Sequence, residues 1–178
     1  MPHHNSRGYT ILEIVIVIAV LCVLAAIGVP MLLRAKQAGN EASAVGSLRA
    51  VLSAQQVYAG SCGGGYFAPD LVVLHRSPAG GNPFLGDELG YATVVVKASY
   101  TFTMGSTTGA DPLAPASCNG QAAGANTRGF WVTATPTANA GDLAFGANGA
   151  GAIYEAAQQT ALAMTDSAAP ASARQLNR

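Results

Sequence analysis

Residues able to do chemistry are few in this chain, and their spacing does not favour catalysis. The histidines are His3, His4 and His75, and the cysteines are Cys22, Cys62 and Cys118. No set of His and Cys has the spacing of a zinc site, and no glycine-rich loop carries the lysine that would cradle a phosphate. The run Gly63-Gly64-Gly65 lacks the strand-then-helix context that would make it functional. Asp87 with Glu88, or Asp111 with Asp142, could offer oxygens to calcium, but without EF-hand spacing a solvated acidic loop is the simpler reading. Neither enzymatic activity nor a cofactor is expected. Formal net charge is zero and no basic cluster exceeds a pair, so nucleic-acid binding has no electrostatic footprint.

Two placements stand out. Glu13 sits where a long apolar run begins, and a carboxylate at the edge of hydrocarbon costs a few kcal/mol unless it finds a partner. Thr10, three residues earlier, makes a capping box with it, satisfying free amides at a helix start and favoured by the helix dipole. Cys62 and Cys118 lie in polar, Gly-rich surroundings and can pair. A disulfide there would stabilise the fold by roughly 4 kcal/mol on the chain-entropy model and would persist only outside the reducing cytosol. Two free thiols are the alternative. Cys22, inside the apolar run, reads as an inert packing residue.

The elements that must position these groups follow from composition and period. Half of the 178 residues are apolar and only 10% are charged, against about a quarter charged in an average domain. From Ile14 to Leu33 there is no charge at all, and a helix of that length rises about 30 Å, enough to cross a bilayer. The run is too long for a signal peptide, and Arg34 and Lys36 follow it in place of a small-residue cleavage site, so it should stay with the mature chain. Ala19, Ala25, Ala26 and Gly28 allow close helix approach. Gly28 and Pro30 predict a kink or local melting.

Beyond Lys36, Ala38, Ala42, Val45, Leu48 and Leu52 continue the helix in amphipathic form to about Tyr58. The glycines after Ala59 end it. Tyr66 to Gly90, with Pro69, Pro78 and Pro83, reads as a long loop. Ser99–Met104 and Phe130–Thr135 carry strand patterns and should pair antiparallel. Leu143-Ala144-Phe145 and Ala152-Ile153-Tyr154 flank Asn148-Gly149 as a final hairpin. From Ala156 onward the Ala, Ser, Thr and Pro content predicts a flexible tail, with room for a short helix from Gln158 to Met164. The fold class is α+β: a long N-terminal helix on a small antiparallel sheet.

The string Gly8-Tyr9-Thr10-Ile11-Leu12-Glu13-Ile14-Val15-Ile16-Val17-Ile18 resembles the class III leader junction of type IV prepilins and type II secretion pseudopilins, with Tyr for the usual Phe and Ile11-Leu12 for the usual Leu-Ile. The resemblance implies a leader at 1–8, cut between Gly8 and Tyr9 by a prepilin peptidase that also methylates the Tyr9 amine. It implies a helix over 9–60 spanning the membrane at about 14–33, a pilin-like globular domain over 61–155 and a tail over 156–178. Thr10, Glu13, Gly28 and Pro30 become assembly residues, Glu13 by pairing with the freed Tyr9 amine of a neighbouring subunit. The implied function is a structural subunit of a type IV pilus-like filament, serving adhesion, motility or DNA uptake. The alternatives are a type II secretion pseudopilin or a membrane-tethered binding module. Implied partners are further copies and other pilins, the peptidase, an inner-membrane assembly platform and lipid.

Charge counting places Arg34, Lys36 and Arg49 after the span against Arg7 before it, which by the positive-inside rule would keep the large domain in the cytoplasm. A Cys62–Cys118 pair and the family's cytoplasmic leader both argue for the opposite. The expected location is the inner membrane, single-pass with a periplasmic C-terminal domain, and then a surface pilus or a periplasmic pseudopilus.

Overall fold

The computed structural model describes residues 9–138, 140–157 and 159–176. Two compact units divide the chain, residues 1–36 and 37–178. The expected leader, Gly8 included, lies outside the described residues.

A helix of 51 residues, α1, runs Ile11–Ser61. In the first unit its aliphatic side chains from Ile11 to Leu33 are exposed. That stretch is long and apolar enough to cross a membrane, and among the described residues nothing buries it. The backbone stays helical through Gly28 and Pro30, so the expected local melting is absent from the isolated subunit. Proline removes one amide, the donor to the carbonyl four residues back, and neighbouring turns hold the geometry.

In the second unit α1 becomes a core element. Ala44, Leu48, Val51, Gln55 and Tyr58 are buried, and their steps of four, three, four and three residues follow one helix face. The expected stripe is only partly right: Leu48 and Leu52 are buried, Val45 is half-buried, and Ala38 and Ala42 are exposed. Reading apolar residues alone hid the true face, because Ser47 and Gln55 belong to it. Gln55 is fully buried and clips α1 to the following loop. Its amide donates to the Ala68 carbonyl at 2.8 Å, and its Oε1 accepts from the Ala68 amide at 2.9 Å. The Tyr58 hydroxyl donates to Asn126 Oδ1 at 2.9 Å.

The loop after α1 is better ordered than its proline content predicts. It contains two short helices, α2 (Leu71–His75) and α3 (Asp87–Gly90). Asp70 caps α2 by accepting from the Val73 amide at 2.8 Å. The Asn119 side chain donates to the carbonyl of Val73 at 2.7 Å and to that of Arg76 at 3.3 Å. A Cys62–Cys118 disulfide closes 56 residues of chain and fixes the exit of α1 to the loop that supplies Asn119.

The sheet is a six-stranded antiparallel meander: β1 (Val94–Lys97), β2 (Tyr100–Gly105), β3 (Trp131–Pro136), β4 (Ala144–Asn148), β5 (Ile153–Ala156) and β6 (Arg174–Gln175). The predicted pair is present, with Phe102 opposite Ala134 and Met104 opposite Val132. The hairpin about Asn148-Gly149 forms as β4 and β5. The valines of β1 gave no alternating signal, and this strand was not foreseen. Val95, Tyr100, Phe102, Met104, Val132, Ala134, Phe145, Ala147 and Ile153 pack with the buried face of α1 into the main core.

The tail is a correction. Leu162 and Met164 bury with Ala144 and Ala156 in a second cluster, against Trp131 and Tyr154, and Arg174 and Gln175 add the last strand. Every residue of β4 is therefore buried. Low hydrophobicity suggested disorder, but Gly146 opens a seat in which even a Cβ would come within 2.8 Å of Met164, so two side chains suffice to anchor the segment. Gln158 lies outside the described residues, and residues 159–164 are not helical.

Candidate assembly segment at the head of the long helix

The helix start is built by Thr10. Its hydroxyl accepts from the Glu13 amide at 3.2 Å and its carbonyl accepts from the Ile14 amide at 3.3 Å, the geometry of an N-cap. Half of the capping box is thus made. Among the described residues, no hydrogen bond or ion pair engages the Glu13 carboxylate, which stays exposed in the first turn of α1. The positive end of the helix dipole favours a charge there, but helix capping alone does not satisfy the carboxylate oxygens. Tyr9 is exposed beside the cap and the free thiol of Cys22 is exposed on the apolar stretch.

The other candidate chemistry is dispersed. His75 Nδ1 lies 3.0 Å from the Leu85 carbonyl oxygen, and its Nε2 lies 3.5 Å from Asp87. Lys97 Nζ meets Glu88 at 2.5 Å and holds that carboxyl below the usual range. Asp111 takes the Arg128 guanidinium and the Leu113 amide, which keep its carboxyl low. The Asp142 amide donates to Glu41 at 3.2 Å. Among the described residues, no group of three or more His, Cys, Asp and Glu could hold a metal ion.

The profile of the prokaryotic N-terminal methylation motif matches residues 3–29. This span includes the Thr10 cap, Glu13 and most of the uncovered apolar stretch. The N-terminal segment is thus similar to the prokaryotic N-terminal methylation motif. The chain is 35% identical over 54 residues to the type IV wide pilus major component PilA4 of Thermus thermophilus, a stretch covering 30% of this chain and 41% of that relative. The chain therefore spans under half the length of the curated relative it matches. Comparison with solved structures returns no significant match. The apolar helix and the motif are consistent with membrane anchoring and filament assembly.

Proposed function

We propose that this pilin-like chain is a subunit of a type IV pilus-like filament, cut between Gly8 and Tyr9 by a prepilin peptidase, methylated on the Tyr9 amine, and drawn from the inner membrane by an assembly platform. The observation that carries the reading is an unpaired Glu13 carboxylate within the methylation-motif match, at the head of an uncovered apolar helix. Cleavage creates an amine at Tyr9, and Glu13 of a neighbouring copy is its counter-ion. Each union buries two charges that would be costly apart, so it sets the register of the incoming subunit. Gly28 and Pro30 supply the place where the helix yields on packing. Copies join head-to-tail, a contact that does not close and so propagates as a filament.

The Cys62–Cys118 bond supports a periplasmic globular domain, against the charge count around the span. The pilus component among the relatives favours a pilus over a secretion pseudopilus. Mass spectrometry of the chain from its native cell tests the processing: an N-methylated Tyr9 is expected, and an intact residue 1–8 segment would sink the filament reading. Electron microscopy of surface-sheared material then decides the destination, with long fibres labelled for this chain marking a pilus and their absence a pseudopilus.

A further inference from the structure

The outer face of β3, β4 and β5 is covered by residues 159–173, through the buried side chains Leu162 and Met164. Among the described residues this segment contributes no strand. Beside these apolar anchors, Asp166 is a polar one. Asp166 accepts from Ser106 Oγ at 2.8 Å, the Thr107 amide at 2.8 Å, the Thr108 amide at 3.2 Å and Thr108 Oγ1 at 2.9 Å. Its carbonyl accepts from the Gly149 amide at 3.2 Å. Glycine at 129 makes the approach feasible, since a Cβ there would stand 2.6 Å from that of Asp166.

We infer that residues 159–173 are a latched strap, which opens as one unit from the outer face of β3, β4 and β5 while α1 and the sheet stay folded, with Asp166 as the latch. The main core lies on the opposite side of the sheet and shares no buried residue with the strap's cluster. Opening therefore forfeits a small apolar cluster and a handful of hydrogen bonds, those of Asp166 foremost, a local event well below global unfolding in cost. What it uncovers is apolar: Trp131, Ala144 and Tyr154.

Burial raises the Asp166 pKa, but the Thr107, Ser106 and Thr108 bonds together outweigh it and hold the carboxyl below its usual range. A depressed carboxylate contributes stability above its unfolded pKa and loses it as pH falls through the folded one, so acid undoes the latch. The nearby cation Arg128 does not compensate, being engaged by Asp111 and lying over Tyr66.

The single tryptophan is the reporter, because Trp131 packs against the strap's cluster. The full chain in detergent micelles is followed by Trp131 emission and by amide exchange, corrected for intrinsic rates, in wild type and in Asp166→Asn. The variant should lose strap protection by roughly ten-fold or more, as expected for hydrogen bonds to a charged acceptor. It should red-shift Trp131 at neutral pH and keep wild-type protection in β2 and β3. Ser106→Ala with Thr108→Val removes donors without altering charge and should loosen the same segment. Wild-type protection in Asp166→Asn, strap and sheet losing protection together, or outright unfolding would each overturn the separable strap.

Discussion

One helix meets two fates in this molecule. From Ile14 to Leu33 α1 is apolar all round and its side chains find no cover among the described residues, whereas from Ala44 to Tyr58 it buries one largely apolar face and that face is fully used. The lower half is stabilised by what the chain itself supplies, including a polar clip at Gln55. The N-terminal stretch is folded by its own hydrogen bonds, and on the proposed reading lipid or other copies would cover it. The difference teaches that a helix hydrophobic on every side specifies an environment, while one hydrophobic on a stripe specifies a neighbour.

The comparison breaks most visibly at Glu13. Glu13→Ala should leave insertion and leader cleavage intact while filament yield, measured on sheared material, collapses by an order of magnitude or more. Normal polymerisation would reduce the residue to helix capping. In the second unit, losing the Cys62–Cys118 bond in a Cys118→Ser variant should cost about 4 kcal/mol on the chain-entropy model, read from denaturant melts. Leu48→Ala should cost about 2–5 kcal/mol, and Leu21→Ala, exposed on the upper half, almost nothing in detergent. Equal costs would erase the contrast between the halves. Gln55→Leu leaves both polar groups of Ala68 unpaired and should cost about 1–3 kcal/mol. The smallest change is Lys97→Met: melting unaltered, with the Glu88 carboxyl rising back toward its ordinary range in an NMR titration.

What could be read from residue order was decided by how local the signal is. Twenty uncharged residues, a Thr-to-Glu spacing at a helix start and an alternating Tyr100-Thr101-Phe102-Thr103-Met104 each carry their message within a few positions. The disulfide was legible as a possibility because two of three cysteines share polar surroundings. The strap was not legible, since Leu162, Met164 and Asp166 matter only because Gly146, Gly129 and four donors at 106–108 happen to receive them. The buried face of α1 was misjudged for the same reason: Gln55 looks like a surface residue until Ala68 is known to stand opposite. At the helix head the sequence supplied the cap, and the structure added that the Glu13 carboxylate has no partner among the described residues.

The meander has a consequence for how the domain is made. Each strand lies beside its neighbour in sequence, so the sheet can zip up one hairpin at a time, and the widest excursion between β2 and β3, residues 106–130, closes at only logarithmic cost. A chain handed across a bilayer in order of synthesis would have at each moment its next pairing partner already in place, and a tether at the front end would never have to be threaded back through the finished sheet.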